Sequence, residues 1–406
     1  MSVPQFMNLV PELQEQIAHN CQACDLLALA QTCSSLHGSA MRALYYHVDI
    51  STHNIAGIFP ARSMFALAEN PIAELPDEID RCISRQRMFI RSMRIHPEYG
   101  ARVTRLTWTY FSLCSPTNDK PISDRPTWRA FECLTSVKYV DFASMAFQRE
   151  RNPPPPLFPA AEHVRLAGPM SFAFVRAILL SGQPERFVSL DLDNVLDLGQ
   201  YKEGRDFAGT ADLSLIPESV DSYGNSITRH PGNMRGHLRH LEGRCPRLKY
   251  LCLRSVGNDE DGDDRWAPAL DEARYDEWAS FITSVRASLV HLVIEQGLEP
   301  NQTGMSYCRR PIPVQYGRPM DDRFLAHLLP ALLTGGFSKL KEIHVFGIGA
   351  DARAEIVPRY RPKALGLCQF VYENLLAVLG QDVEIEVQEN ATKTFFYRLS
   401  GNTYDS

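Results

Sequence analysis

Apolar residues recur in one short pattern between residues 100 and 390, apolar-x-x-apolar-x-apolar. The copies begin at Val103, Val137, Ala161, Phe187, Leu248, Leu289 and Leu340. In each copy the last two apolar positions are two residues apart, as in Leu106 and Trp108, so both side chains point to one face of a β-strand. Residues 383–387 alternate in the same way without the first position. The pattern predicts a series of short strands, one for each copy.

Helix-like runs come just before several of these copies. They cover residues 172–180, 234–241, 278–285 and 324–333, and residues 368–379 stand in the same relation to the last strand. A helix followed by a strand, repeated, favours parallel strands with helices packed behind them. The starts of the copies are 24 to 61 residues apart, so we expect an irregular array with insertions, such as residues 258–264 and 301–319.

The N-terminal 50 residues have a different, helical pattern. Leu13, Ile17 and Cys21 recur at a spacing of four and therefore share one helix face. Asp25 is a suitable N-cap for a second helix, and residues 40–46 predict a third. Three short helices bury little surface on their own. We therefore expect this module to pack against a partner or the next domain.

The same residues resemble the F-box family. Residues 9–13, Leu-Val-Pro-Glu-Leu, with Ile17 four residues on, are similar to the family's opening Leu-Pro-x-Glu-Leu-x-x-x-Ile. Residues 25–29, Asp-Leu-Leu-Ala-Leu, and 32–36, Thr-Cys-Ser-Ser-Leu, match its central and closing motifs. The chain departs from the family pattern at Val10, where proline is usual, and at Thr32, where an aliphatic residue is preferred.

The F-box resemblance implies that these helices dock onto the adaptor Skp1 and, through it, a cullin-type ubiquitin ligase. The residues it implicates in Skp1 binding are Leu9, Val10, Pro11, Leu13, Ile17, Leu26, Leu27, Leu29, Cys33 and Leu36. The alternative is an unrelated helical hairpin that caps the repeat array.

The repeated core is similar to the Leu-x-x-Leu-x-Leu of leucine-rich repeats, whose regular period is about 20–29 residues. The asparagine that usually follows that core is mostly missing, and Asn194 alone is near its slot. We expect an α/β fold, a small N-terminal helical F-box followed by an irregular leucine-rich-repeat-like α/β solenoid with a parallel sheet, similar to fungal-type F-box proteins. The expected divisions are an F-box-like module at 1–50, a helical linker at 51–100, the solenoid at 101–390 and a tail at 391–406.

Composition narrows the range of functions. The 406 residues include 42 Lys and Arg against 48 Asp and Glu, a net charge of −6, which gives no reason to expect a nucleic-acid partner. The 10 cysteines are scattered and read as small hydrophobic residues. No apolar run approaches the ~18 residues that span a bilayer, and the N-terminus does not resemble a secretory signal. The expected location is intracellular, in cytoplasm or nucleus, without membrane contact.

Four motifs suggest chemistry, but each of them has a simpler interpretation. Residues 347–352 fit the Gly-x-Gly-x-x-Ala dinucleotide fingerprint, but Pro358 and Pro362 interrupt the helix that should follow. The acidic run 258–264 lacks the ordered spacing of a calcium loop. Cys21-x-x-Cys24, and His237-x-x-His240 with Cys245, have zinc-like spacing without a full ligand set. We expect no cofactor, no metal and no catalytic residue, so the chain is not predicted to be an enzyme.

The predicted function is a non-catalytic substrate receptor, with a repeat-based interaction scaffold unrelated to ubiquitination as the alternative. Residues between and just after the apolar core positions should face outward on the open side of the sheet. The candidates for substrate binding are Arg105, Tyr139, Arg165, Asp191, Tyr250, Arg254, Glu295 and His344.

Overall fold

A parallel β-sheet runs through the chain. The computed structural model describes residues 10–32, 34–51, 76–111, 124–145, 154–180, 183–197, 200–201, 219–220, 226–229, 232–255, 268–296, 318–349 and 366–389. The first five strands are β1 His47–Ile50, β2 Arg105–Phe111, β3 Tyr139–Met145, β4 His163–Met170 and β5 Ser189–Asp197. Four short strands follow, β6 Gln200–Tyr201, β7 Ser219–Val220, β8 Ser226–Arg229 and β9 Gly232–Asn233. The last four are β10 Tyr250–Ser255, β11 His291–Gln296, β12 Glu342–Phe346 and β13 Glu384–Gln388.

Nine of these strands form one open parallel sheet in chain order, β1-β2-β3-β4-β5-β10-β11-β12-β13. The short β9 pairs antiparallel with the end of β5, and β6, β8 and β7 form a separate small antiparallel sheet. Each of the seven quoted cores, and the run at 383–387, lies in or directly before one of the parallel strands. The prediction of an α/β fold with one parallel strand per core is therefore confirmed.

The carbonyl oxygen of the residue before each strand fixes the register of the following strand. The carbonyl oxygen of Thr104 accepts hydrogen bonds from the backbone N–H groups of Lys138 and Tyr139, at 2.8 and 3.1 Å. The carbonyl oxygen of Lys138 in turn accepts two from Glu162 and His163, both at 2.9 Å. This pair of hydrogen bonds to one carbonyl oxygen recurs from repeat to repeat. Insertions of different length between strands therefore leave the register of the sheet unchanged.

Ten α-helices lie within the described residues. They are α1 Pro11–His19, α2 Ala23–Thr32, α3 Ser34–Tyr46, α4 Pro76–Ile95, α5 Asp124–Glu132, α6 Phe172–Leu179, α7 Pro268–Val285, α8 Arg318–Arg323, α9 Leu329–Leu333 and α10 Leu367–Leu379. A single π-helical stretch, Phe324–Leu328, joins α8 to α9. The helices predicted at 172–180, 278–285, 324–333 and 368–379 are confirmed.

One apolar core lies between the sheet and the helices from α4 onward. The strand residues that alternate inward, such as Leu106, Phe142 and Leu190, are fully or almost fully buried there. Helical residues such as Phe131 and Phe281 belong to the same cluster. Full burial of a side chain of this size contributes about 1.5–3 kcal/mol. On the opposite face of the sheet the described apolar cluster consists of strand residues alone, so the described helices pack on one side.

The prediction of a helix at 234–241 is wrong. That segment contains only the 3-10 turn Arg239–Leu241. The buried Glu277 carboxylate accepts hydrogen bonds from the backbone N–H groups of Gly236 and Leu238, and Gly236 has a φ of +79°. Because the Glu277 side chain on α7 accepts from these two backbone groups, the segment forms bends before the 3-10 turn instead of an α-helix.

The N-terminal helices α1, α2 and α3 have their own small core and are joined directly to the sheet. Ala18, Leu26 and Ala40 are buried at its centre. Helix α3 runs without a break into β1. The hydroxyl group of Tyr45, near the end of α3, lies 3.2 Å from the hydroxyl group of Ser92 on α4. Strand β1 lies in the predicted F-box module and helix α4 in the predicted linker. Strand β1 is the first strand of the sheet, and both elements contribute side chains to its main core. The acidic run 258–264, residues 301–317 and the tail 391–406 lie outside the described residues.

Candidate functional site

The polar face of the parallel sheet consists of rows that cross the strands at right angles. The first row, in strand order from β1 to β13, is His47, Arg105, Tyr139, His163, Ser189, Tyr250, His291, Glu342 and Glu384. The second row, two residues further along each strand, is Asp49, Thr107, Asp141, Arg165, Asp191, Cys252, Val293, His344 and Glu386. Arg254 and Glu295 lie in a third row with Asp193. All eight predicted substrate-binding residues therefore share this face.

Planar side chains stack along the first row. The guanidinium carbon of Arg105 lies 4.6 Å from the centroid of the Tyr139 ring. The Tyr139 and His163 rings are almost parallel, with centroids 4.3 Å apart. Burial lowers the pKa of His163 to about 4, so its imidazole is neutral at physiological pH. Tyr250 and His291 form a second, tilted pair with centroids 6.3 Å apart. Residues of this row are mostly half-buried, which leaves their edges accessible to solvent.

A chain of ion pairs connects the second and third rows across five strands. The guanidinium of Arg165 contacts Asp141 Oδ2 at 3.2 Å, Asp191 Oδ2 at 3.4 Å and Asp193 Oδ2 at 4.0 Å. The guanidinium of Arg254 contacts Asp193 Oδ1 at 3.3 Å and Glu295 Oε1 at 3.5 Å. This buried ion-pair chain brings four carboxylates around two guanidinium groups.

Burial of this chain differs from the expectation of an open surface. Arg165 is 4% exposed, Asp191 and Asp193 are each 2% exposed, Arg254 is 9% exposed and Glu295 is fully buried. Arg105, Tyr139, Tyr250 and His344 are half-buried. Burial raises the pKa of Asp191 to about 7, although the neighbouring Arg165 guanidinium acts in the opposite direction. The centre of the polar face is therefore a compact charged layer, whereas the first row is half-buried or exposed except at Ser189, which is buried.

At the C-terminal end of the sheet, imidazoles alternate with carboxylates. His291 Nδ1 lies 3.0 Å from Glu342 Oε2, and His344 Nδ1 lies 3.0 Å from Glu386 Oε2. Glu386 on β13 and Asp49 on β1 also lie in the second row of the polar face. Neither residue is among the candidates predicted from the sequence. The alternation of Val48 and Ile50 with polar neighbours was a signal for β1, although only four residues long.

The N-terminal helices present apolar side chains to solvent. Val10 is 55% exposed, Leu13 45%, Ile17 38% and Leu27 51%. Leu13 and Ile17 are one helical turn apart on α1, so they lie on one face. We call Val10, Leu13, Ile17 and Leu27 the exposed apolar set.

Other residues of the predicted Skp1-binding group occupy different environments. Leu26 and Leu36 are each 5% exposed, and Leu29 is half-buried beside the small core of the module. Pro11 begins α1, whereas Leu9 and Cys33 lie outside the described residues. The predicted group thus divides into an inward set, which holds the helices together, and the exposed apolar set.

The turn after β12 uses the backbone groups that a dinucleotide phosphate would need. The N–H groups of Gly347 and Ile348 donate to the carbonyl oxygen of Gln388, at 3.0 and 3.2 Å. The N–H of Gly349 donates to Asp321 Oδ1 at 3.1 Å, and burial raises the pKa of that carboxyl to about 6. Since protein acceptors already bind these donors, Gly347 and Gly349 serve a strand-ending turn.

The two zinc-like motifs do not assemble a metal site in the part of the chain that the structure describes. The Cys245 thiol donates to the carbonyl oxygen of Leu241, and the buried His237 lies beside Glu277. Cys21 donates to the carbonyl oxygen of Ile17, and Cys24 is exposed. Within the described residues, no group of three His, Cys, Asp or Glu side chains is arranged to hold a metal ion.

Neither a scan against models of protein families nor a search of the curated proteins finds a match for this chain. Among the described helices, none combines the length and the apolar character needed to cross a bilayer.

Proposed function

We propose that the chain is a non-catalytic substrate receptor of an SCF-type ubiquitin ligase, in which α1 to α3 dock onto a Skp1-like adaptor and the leucine-rich-repeat-like sheet captures a protein substrate. The observation that carries the proposal is the exposed apolar set on α1 and α2. These side chains lie on the F-box-like motif, at positions where the family resemblance implies adaptor contact.

Exposure of this set is unfavourable unless a partner covers it. The module has a small core of its own in Ala18, Leu26 and Ala40, so its fold does not require Leu13, Ile17 or Leu27 to be buried. Neighbouring apolar side chains left in solvent by a closed core are typical of a protein–protein contact. An apolar, helix-borne contact agrees with docking on an adaptor.

The sheet region supports the second half of the proposal. Its strands follow in chain order with one register, and α3 leads into β1 without a linker. A substrate held on the polar face would therefore have a fixed position relative to the adaptor, as transfer of ubiquitin to that substrate requires. The half-buried first row supplies aromatic and charged side chains of the types that anchor protein interfaces.

The test is co-purification of the full chain with Skp1 after the change Leu13→Ala with Leu27→Ala. Each of these side chains contributes about 1.5–3 kcal/mol when covered, so the double variant should bind Skp1 at least about a hundredfold more weakly. Met88→Ala on α4 is the matched control, because Met88 is an exposed apolar residue outside the module. Leu26 is not used because it is buried, and its truncation would disturb the helices themselves.

Circular dichroism and the urea midpoint of the double variant should equal those of the wild type. Wild-type affinity in the double variant would contradict the F-box proposal and leave the interaction scaffold as the better explanation.

A further inference from the structure

The outer face of helix α4 combines arginines with exposed apolar side chains. Residues 81–95 contain five arginines and no Asp, Glu or Lys, in a chain whose net charge is −6. Met88 and Ile95 are 64% and 59% exposed, the highest values among the large apolar residues in the described part of the chain. On the inner face of the same helix, Phe89 and Met93 belong to the main core. The helix therefore does not need Met88 or Ile95 for its own packing.

The arginines and the apolar residues form one continuous stripe. Its members, at spacings of four, three, three and four residues along one side of the helix, are Arg81, Arg85, Met88, Arg91 and Ile95. All five are exposed. At about 1.5 Å per residue the stripe is about 21 Å long, and Met88 lies about 10 Å from Ile95, which is two helical turns. We call these five residues the basic stripe.

Carboxylates of the chain do not neutralise the positive charge at this face of α4. Within the described residues, Arg91 and its neighbour Arg94 form no ion pair and no side-chain hydrogen bond. Arg85 donates to the backbone carbonyl oxygen of Asp49 at 3.1 Å, which is an uncharged acceptor. Guanidinium groups match carboxylates in shape and charge and form two parallel hydrogen bonds with them. An acidic partner would therefore gain ion pairs here without breaking existing ones.

We propose that the basic stripe binds an acidic amphipathic helix of a partner protein, in which two apolar residues seven positions apart cover Met88 and Ile95 and flanking Asp or Glu side chains pair with the arginines. Two turns of a partner helix match the distance of about 10 Å between the two apolar side chains. An extended segment does not match it, because about 10 Å corresponds to three residues, and side chains three residues apart in a strand point to opposite faces. This surface is separate from the Skp1 contact and goes beyond the proposed function.

Other occupants fit the basic stripe less well. A second copy of the chain, docked through the same stripe, would place arginines against arginines. A nucleic acid would pair its phosphates with the arginines and leave Met88 and Ile95 uncovered. A helix that lies in a membrane surface needs a wide apolar face, whereas this stripe has two apolar side chains flanked by arginines. An acidic helix covers both kinds of side chain, and the flexible Met88 suits such a contact.

The test measures binding of labelled synthetic peptides to the full chain by fluorescence anisotropy. The probe is an alanine-based helical peptide with two leucines seven positions apart and glutamates three or four positions from each leucine. One counterpart has lysine in place of glutamate, and the other has serine in place of leucine. The acidic peptide should bind at least about tenfold more tightly than either counterpart, because the first loses the ion pairs and the second loses the apolar contact. Vesicles of phosphatidylserine with phosphatidylcholine, and a single-stranded poly-uridine RNA, are titrated in parallel.

One double variant tests the charges. Arg91→Glu with Arg94→Glu reverses two charges that make no contact with the rest of the described chain, so the fold should persist. The acidic peptide should bind this variant about tenfold more weakly or worse. The matched control is Arg186→Glu with Arg247→Glu, which makes the same change at two exposed arginines outside α4 and should leave binding unchanged.

A second double variant tests the apolar contact. Met88→Ser with Ile95→Ser removes both apolar side chains from exposed positions and should weaken the acidic peptide about tenfold. The matched control is Phe370→Ser with Val378→Ser, because these two residues are exposed apolar residues on α10, at 50% and 44%. Circular dichroism of all four variants should equal that of the wild type.

No binding of the acidic peptide to the wild type, equal affinity for the acidic and basic peptides, or unchanged binding in either stripe variant would overturn the proposal. Binding of the vesicles or the RNA in preference to the acidic peptide would overturn it as well. Skp1 co-purification is measured on the same variants and should equal that of the wild type. A parallel loss of Skp1 binding would assign the stripe to the adaptor contact and remove the separate partner. Loss of Skp1 binding in the Leu13 and Leu27 double variant leaves peptide binding at the stripe unaffected, so the two proposals fail independently.

Discussion

Replacement of Arg165 by leucine should destabilise the sheet strongly, because the Arg165 guanidinium forms ion pairs with three carboxylates. Its guanidinium lies 3.2 to 4.0 Å from Asp141, Asp191 and Asp193, and the side chain is almost completely buried. Arg254 would remain beside Asp193, at 3.3 Å from Asp193 Oδ1. Removal of one partner from a buried ion pair costs about 3–5 kcal/mol.

The pH of the measurement decides how much of that cost appears. The positive charge of Arg165 lowers the pKa of Asp191, which burial raises to about 7. Without Arg165 that pKa rises further, and Asp191 avoids the penalty by binding a proton in acid. We therefore expect about 3 kcal/mol or more at pH 8.5 and a clearly smaller loss at pH 5.5.

The assay is urea unfolding followed by tryptophan fluorescence. Trp108 and Trp128 lie in the core on β2 and α5, next to the strands that carry the change. The matched control is Lys138→Leu, which removes a cation from the half-exposed Lys138–Glu162 pair at 3.4 Å and should cost no more than about 1 kcal/mol. The double variant Arg165→Leu with Asp191→Leu should recover most of the loss, because both buried charges are gone. An Arg165→Leu protein as stable as the control at pH 8.5 would show that water reaches the carboxylates.

This energetic role limits how the polar face can be tested for recognition. Reversing the charges of Arg165, Asp191 and Arg254 together would place like charges against each other in a buried layer. Such a protein would lose substrate capture because the sheet is disrupted. Changes at Tyr139, Tyr250 or His291, which are half-buried in the first row, are informative about binding itself.

The strands were predictable from the sequence because each carries its own local signal. Leu251 and Leu253, or Leu292 and Ile294, are two residues apart and face the helices, so their alternation is sufficient to identify a strand and its inner face. The first position of each copy, such as Val103 or Leu248, is buried just ahead of its strand and strengthens the pattern. Helix α6 was also predictable from a local signal, because the Ser171 side chain caps it by accepting a hydrogen bond from the Phe174 N–H.

The features that the sequence did not predict depend on distant residues. Glu277 takes backbone donors of residues 236 and 238 across 39 to 41 positions and removes the expected helix. Asp193 and Arg254, which are 61 positions apart, meet only because β5 and β10 are neighbours. The alternation of apolar and polar residues indicates that the side chains of Asp193 and Arg254 point away from the main core. It does not indicate that they are buried on the opposite face of the sheet.

Two further predictions concern a titrating group and a turn. Asp191 has a folded-state pKa raised to about 7 from 3.8, so its contribution to stability declines as the pH rises from 4 to 7. Urea unfolding from pH 5 to 7 should therefore show Asp191→Asn gaining stability relative to the wild type, by up to about 1.4 kcal/mol per pH unit, and a constant difference would contradict the shift. Gly347→Ala should cost more than about 2 kcal/mol in the same assay, because the φ of Gly347 is +81° and an added Cβ would overlap the carbonyl oxygen of Gln296. Gly335→Ala separates backbone strain from overlap, since Gly335 has a φ of +73° but nothing lies within 4 Å of the new methyl group. The cost of Gly335→Ala should therefore stay near about 1 kcal/mol. Equal losses in both variants would mean that the turn after β12 moves away from Gln296 without penalty.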